Sequence, residues 1–216
     1  GGECAALSNV MAAATRAGKQ DTFIKNLYTS MNSPLSVNEI NDLRKIDPAN
    51  AALEQRKAQK INEFRDKLGQ LQNILGSNFH NGVQARQVPY TDILTELANA
   101  NSSKNLLIRG PEHGITAGII VTPYKETVAG IETIKHRKEW FYFDPNFGKA
   151  TFTTEQQMRS ALESTLNSGR TKNLFKHYGD TPNVPEYKIS VFDPADLNSS
   201  TRASGIDVSD LYRVEI

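Results

Sequence analysis

The chain has 216 residues, enough to bury one hydrophobic core, or one core with an added subdomain. Its 25 basic and 24 acidic side chains leave a net charge of +1, which gives no general attraction to nucleic acid or to an anionic membrane. No apolar stretch approaches the roughly 18 residues that span a bilayer. We therefore expect no nucleic-acid partner, and this segment gives no indication of membrane contact.

Thiols and imidazoles are scarce in this sequence, which contains one cysteine, Cys4, and four histidines. A single thiol excludes an internal disulfide and a multi-thiolate zinc site, and no metal-ligand spacing links the histidines to carboxylates. We therefore predict no cofactor and no metal. The sequence opens with Gly1 and Gly2, without an initiator methionine or a signal peptide, so we expect a domain excised from a larger protein.

Helical periodicity and cap residues dominate the first half of the sequence. Gly18 is expected to end the first helix in a left-handed cap, and Ser36 with Glu39 forms a capping box. A long amphipathic pattern begins at Pro48. The predicted helices cover 4–17, a stretch capped by Asp21 that reaches Met31, 36–46, 48–75 and 91–100.

Alternating apolar and polar residues replace the helical period after residue 101. Strands are predicted over 106–108, 114–122, 127–134, 139–143 and 187–192, with a helix over 154–166 capped by Thr154 and Gln157. A polar loop over 198–204 and an edge strand over 211–216 complete the prediction. The order indicates an α+β fold in one domain, 1–216, with a helical subdomain over 1–101 packed on an antiparallel-sheet subdomain over 102–216.

Cys4 lies where a glycine-rich start turns into the first helix. The unpaired N–H groups and the positive dipole end of a helix stabilise a thiolate at that position, which favours a nucleophile. A lone cysteine is also commonly a small buried apolar residue, so further residues must decide between the two interpretations.

Two polar residues occur at strand ends where a catalytic cysteine would need them. His113 precedes the strand 114–122, and Asp144 follows the strand 139–143 after a separation of 31 residues (144 − 113). If the strands pair antiparallel, the start of one lies beside the end of the other. The sequence therefore predicts a Cys4–His113–Asp144 triad, in which the imidazole takes the thiol proton and the carboxylate orients the imidazole. His136, in a basic run, and His177, beside Lys176, are weaker alternatives to His113.

The residues around these positions resemble a known family. The segment Gly2–Ser8 (Gly-Glu-Cys-Ala-Ala-Leu-Ser) is similar to the nucleophile segment of the papain-like YopT/AvrPphB-type cysteine peptidases of bacterial effectors. The segment Phe143–Gly148 (Phe-Asp-Pro-Asn-Phe-Gly) resembles the segment at that family's aspartate, and His113 heads a strand as its histidine does. Related domains occur in large bacterial toxins, including the Mcf type.

The resemblance implies a papain-like fold and a secreted bacterial virulence protease that acts in the host cell cytoplasm. Its partner would be a host protein substrate, such as a small GTPase or another signalling protein, and self-cleavage is a further expectation. The long interval between His113 and Asp144 departs from the family pattern and indicates an insertion or extra strand over 124–138. Gly114 also replaces the commoner alanine after the histidine. This sequence opens three residues before the cysteine, so the polar oxyanion side chain that normally precedes it lies outside the sequence given or is supplied otherwise, and the Cys4 backbone N–H is a candidate donor.

Other functions remain compatible with these residues. The same triad supports glutamine deamidation or acyl transfer. A second class is a non-catalytic module that binds a host protein through the helix 48–75, with an inert Cys4.

Overall fold

A computed structural model describes residues 2–72, 83–181, 183–192, 202–203 and 205–216. Within them, a six-stranded antiparallel sheet has the strand order β1-β6-β2-β3-β4-β5. Its strands are β1 (Arg86–Pro89), β2 (Lys104–Arg109), β3 (Gly114–Val128), β4 (Ile131–Asp144), β5 (Gly148–Phe152) and β6 (Glu186–Phe192). Two short strands, β7 (Arg202–Ala203) and β8 (Ile206–Asp207), pair separately.

Helices cover both faces of the sheet. They are α1 (Gly2–Arg16), α2 (Gln20–Met31), α3 (Val37–Ile46), α4 (Pro48–Leu71), α5 (Tyr90–Ala98), α6 (Glu155–Glu163) and α7 (Thr171–Phe175). A π-helical turn at Ser164–Ser168 continues α6, and a 3₁₀ turn covers Val208–Leu211. The mixed helix and antiparallel sheet confirm the predicted α+β class. The division into two subdomains stays a prediction.

The apolar side chains form separate clusters because successive strand residues point to opposite faces of the sheet. One cluster joins α5 and α6 to sheet residues such as Ile108 and Trp140. Another joins α1, α2 and α4 to Phe143 and the 3₁₀ turn. Alanines at the α1 contact, such as Ala6 and Ala14, are fully buried, as close packing of a small-residue helix requires.

Local sequence signals placed several helix ends correctly. Gly18 has φ +69°, and the Lys19 N–H donates to Ala14 O, which together end α1. Ser36 and Glu39 form both bonds of the predicted capping box. Asp21 was wrong as a cap: α2 begins one residue earlier, and Asp21 lies inside its first turn.

The largest correction concerns the interval between His113 and Asp144. β3 and β4 pair from Thr116–Phe143 to Val128–Ile131, so residues 124–138 are the far half of one long hairpin and not an extra strand. Ala129 (φ +53°) and Gly130 (φ +78°) form its two-residue turn. The predicted strand 127–134 is therefore wrong, because it runs through this turn.

The remaining differences lie near the chain end and at short elements. The predicted edge strand 211–216 is wrong, since Leu211 ends the 3₁₀ turn and no strand follows it in the described residues. The predicted loop 198–204 falls largely outside the described residues, and Arg202–Ala203 is β7. The predicted end of the long helix at Leu75 also lies outside them. β1, β5 and α7 were not predicted.

Candidate active site

Cys4 lies in the first turn of α1, with its side chain half-buried. The first N–H groups of a helix have no partner within the helix, and they carry the positive end of its dipole. Cysteine acts as a nucleophile in its thiolate form. The fold therefore places Cys4 as the sequence predicted.

His113 and Asp144 meet at one end of the sheet. His113 immediately precedes β3 at the end of the β2–β3 turn, where its carbonyl accepts the Gly110 N–H at 3.0 Å. Asp144 is the last residue of β4, the antiparallel neighbour of β3. The His113 Nε2 to Asp144 Oδ1 distance is 2.9 Å, with side chains 3% and 1% exposed. Removal from water strengthens this contact, because the local dielectric is low.

A tight turn after β4 fixes the Asp144 carboxylate. Its Oδ1 also accepts the Asn146 N–H at 2.9 Å, and its backbone carbonyl accepts the Phe147 N–H at 3.0 Å. Side-chain acceptance two residues on is a property of aspartate in turns. Its Oδ2 is buried without a hydrogen bond in the described residues. The hydrogen bonds of the carboxylate among the described residues therefore converge on Oδ1, which holds it in place beside His113.

Cys4 is close enough to His113 to contribute to the pKa of the imidazole. Burial by itself lowers the pKa of His113, but hydrogen bonds and negative charge from Asp144 and Cys4 outweigh it and raise the pKa from 6.5 to about 9. The imidazole is therefore cationic at neutral pH. Since Nε2 faces Asp144, Nδ1 is the ring nitrogen left for Cys4.

Two buried hydrogen bonds join the Cys4 helix to the His113 strand. Ser8, one turn after Cys4, donates its hydroxyl to Gly114 O at 3.2 Å. Thr116 donates its hydroxyl to Ser8 O at 2.7 Å. Because Gly114 adjoins His113, this reciprocal pair sets how α1 lies against the catalytic end of β3. The sequence singled out Ser8 only as part of a motif, and it gave no sign of Thr116.

Phe175, at the end of α7, supports the His113 ring. The two rings meet edge to face, with centroids 5.0 Å apart, and Phe175 is fully buried. Phe175 O accepts the Glu112 N–H at 3.2 Å. A Cβ at Gly110 would lie 2.2 Å from that oxygen, so only glycine permits this approach. Sequence reasoning missed Phe175, and Gly110 was the one local signal of a close contact.

The other histidines considered from the sequence lie in different settings. His136 is exposed on the long hairpin, opposite Pro123. His177 is half-buried, with Nδ1 2.9 Å from Tyr178 O. The described residues contain no group of three or more His, Cys, Asp and Glu that could hold a metal ion. No helix in the same part of the chain combines the length and apolarity needed to cross a membrane.

Comparison with known protein families decides the assignment. The model of the Mcf1 protease effector domain matches residues 1–215. The chain belongs to this family. The protease effector domain also shares its fold with PatoxP, a cysteine protease-like domain of the Photorhabdus asymbiotica toxin PaTox, with a TM-score of 0.52 and 12% identity. The alignment covers 97% of this chain and 54% of that structure, so this chain spans about half its length. A search of curated proteins gives no significant match.

These findings confirm the expected toxin effector peptidase at the level of family and fold. The protein is a protease effector domain with a cysteine protease-like fold. At 12% identity the structural likeness concerns the fold alone, so the assignment of individual catalytic residues depends on the geometry of this chain.

Proposed function

We propose that this effector domain is a papain-like cysteine peptidase with Cys4 as nucleophile, His113 as general base and acid, and Asp144 as the residue that orients His113. One observation carries the proposal: the buried His113 imidazole lies 2.9 Å from the buried Asp144 carboxylate, and the only cysteine in the sequence is close enough to raise the pKa of the same imidazole. Nucleophile, base and orienting group in that sequence of contacts are the arrangement that activates a thiol.

The ground state in this proposal is a Cys4 thiolate beside a His113 imidazolium. Sγ attacks the substrate carbonyl carbon, and the carbonyl π electrons move to oxygen. When the tetrahedral intermediate collapses, the C–N bond breaks and His113 gives its proton to the leaving amine. His113 then removes a proton from water, the hydroxide attacks the thioester, and the acid product leaves with Cys4 restored as thiolate and His113 protonated.

Asp144 contributes position and charge without taking the proton. Its contact with Nε2 leaves Nδ1 for Cys4, and its negative charge stabilises the imidazolium. The Cys4 backbone N–H, directed outward from the first turn of α1, is the proposed donor to the tetrahedral oxyanion.

The proposed substrate is a protein of a host cell, cleaved in its cytoplasm after bacterial secretion of the toxin. Support comes from the description of the family as a protease effector and from the occurrence of the structural relative within a toxin. A small GTPase or another signalling protein is the expected type of substrate. Self-cleavage stays a prediction.

The decisive experiment exposes host cytosol to the wild-type domain and to Cys4→Ala, followed by mass spectrometry of new protein N-termini. We expect new N-termini only with the wild type, and none with His113→Ala. Equal fragment patterns for wild type and Cys4→Ala would refute the proposed peptidase. A host protein that stays uncleaved but shows a Cys4-dependent change of glutamine to glutamate would indicate deamidation by the same triad, in place of peptide-bond cleavage.

A further inference from the structure

An apolar cavity of about 300 Å³ opens beside the candidate active site. It lies between α1, α2, α4 and the turn that follows Asp144. Its apolar wall is formed by Ala6, Leu7, Ile24, Leu27, Leu68 and Phe143. Concave apolar cavities of this size are the usual form of ligand and substrate sites.

Large apolar side chains that remain exposed to solvent surround the mouth of the cavity. Tyr28, Met31 and Phe147 all line it, and they are 57%, 75% and 70% exposed. Single exposed apolar residues are common on protein surfaces and need no explanation. Three that share one concavity form a patch, which is typical of a binding surface.

Two chain segments connect the cavity lining to candidate catalytic residues. Leu7 lies one helical turn after Cys4 on α1, and Pro145 follows Asp144 directly. The cavity therefore adjoins the two elements that carry Cys4 and Asp144. This connection distinguishes the cavity from an apolar surface remote from the site.

Two polar side chains that line the cavity bond to the protein itself. The Arg65 guanidinium donates to the carbonyls of Ser30 and Asn32 at the end of α2. The Ser30 hydroxyl donates to Leu27 O at 2.7 Å. These bonds satisfy carbonyls that a helix end leaves without partners. The cavity consequently suits a neutral apolar group, since a buried charge would need a partner of its own.

We propose that this cavity is a specificity pocket that binds one large apolar side chain, such as leucine, methionine or phenylalanine, of the polypeptide substrate near the cleaved bond. The inference rests on the proposed peptidase function and adds the substrate side chain that it selects. A peptide with such a side chain should bind about ten- to a hundredfold more tightly than its alanine counterpart, because burial of the larger side chain removes more apolar surface from water.

Met31 provides a direct test that needs no catalysis. The chain has three methionines, and Met11 and Met158 are buried while Met31 lies at the cavity mouth. A Cys4→Ala domain labelled with ¹³C-methyl methionine is titrated with capped leucine, phenylalanine, alanine and aspartate peptides. We expect a saturable Met31 shift with leucine or phenylalanine and little change at Met158. No Met31 shift, or equal shifts with alanine and leucine, would overturn the pocket.

Charge substitutions locate the binding surface. Phe147→Lys and Tyr28→Lys should each weaken the leucine peptide at least about fivefold, because a lysine at the mouth loses apolar contact. Val37→Lys and Ile46→Lys are matched controls, since both residues are apolar and exposed but do not line the cavity. Equal weakening by mouth and control substitutions contradicts the proposal.

Cleavage separates this inference from the proposed function. If Cys4-dependent cleavage occurs without preference for a large apolar side chain, the pocket fails and the peptidase stands. If the peptides bind at Met31 but the wild-type domain cleaves nothing, the peptidase fails while the pocket remains a peptide-binding site.

Discussion

Removal of Asp144 should change the titration of His113 in a defined direction. Asp144 raises the pKa of His113 through a hydrogen bond and through charge, whereas burial lowers it. A hydrogen bond to a charged group contributes about 1.5 to 3 kcal/mol, and one pKa unit corresponds to about 1.4 kcal/mol, so Asp144→Ala should lower the His113 pKa by about 1 to 2. In Asp144→Asn, which retains a hydrogen-bond acceptor but not the charge, the His113 pKa should lie between those of the wild type and Asp144→Ala.

The unfolding free energy should also depend on pH through the raised pKa of His113. Folding raises the His113 pKa from 6.5 to about 9, so the stabilisation is complete below pH 6.5 and is lost as pH rises through 9. The pKa difference corresponds to at most about 3 kcal/mol. Asp144→Ala should remove part of this dependence, so the difference in unfolding free energy between wild type and variant should shrink as pH rises through 9.

The assay is NMR titration of imidazole ¹³Cε1 signals, combined with urea unfolding at several pH values. The chain has four histidines, and exposed His136 serves as an internal control. A His113 titration near pH 9 in the wild type, moved to lower pH in Asp144→Ala with His136 unchanged, supports the account. An unmoved His113 titration would show that Asp144 does not govern the imidazole.

Three substitutions test the groups that hold the site together. Thr116→Val removes a buried hydrogen bond to Ser8 O, so it should cost about 1 to 3 kcal/mol of unfolding free energy and slow Cys4 alkylation. A double-mutant cycle with Ser8→Ala, measured by urea unfolding, should show coupling between the two substitutions. Simple additivity would contradict a joint role of the two hydrogen bonds in holding α1 against β3. Gly110→Ala should lower the unfolding free energy by about 2 kcal/mol or more, because the added Cβ would clash with Phe175 O. Gly69→Ala is the control: it has open space around it in α4 and should raise the unfolding free energy by about 0.5 to 1 kcal/mol. Equal effects of the two substitutions in thermal unfolding would contradict the close approach of Gly110 to Phe175. Phe175→Leu keeps an apolar side chain but loses the ring contact with His113. The rate constant for Cys4 alkylation should fall and its pH profile should move, while the KM for a peptide substrate changes little. An unchanged pH profile would show that Phe175 contributes to folding only and does not position His113.

Helix ends could be predicted from the sequence, because the residues that determine them are neighbours in the chain. Gly18, the Ser36 box and Pro48 marked helix ends correctly, because capping acts within one turn. The far half of the β3–β4 hairpin carried no such signal. Beyond Ile119, β3 pairs with β4 alone and is largely exposed on both faces. Buried and exposed positions therefore do not alternate along this part of the strand.

The site was predictable where it depends on strand ends and not where it depends on tertiary contact. An antiparallel pair brings the start of one strand to the end of the next, which was sufficient to place His113 beside Asp144. Ser8 and Thr116 are 108 residues apart, and Phe175 reaches His113 from a helix that periodicity did not identify. Contacts of that kind appear only when the chain is folded.

The alkylation rate of Cys4 by iodoacetamide at pH 7 tests the central claim most directly. An ordinary thiol is only a few per cent ionised at that pH, so loss of the imidazolium in His113→Ala should slow alkylation about tenfold. His136→Ala and His177→Ala are matched controls and should react like the wild type. Equal rates for His113→Ala and the wild type would contradict the proposed activation of Cys4.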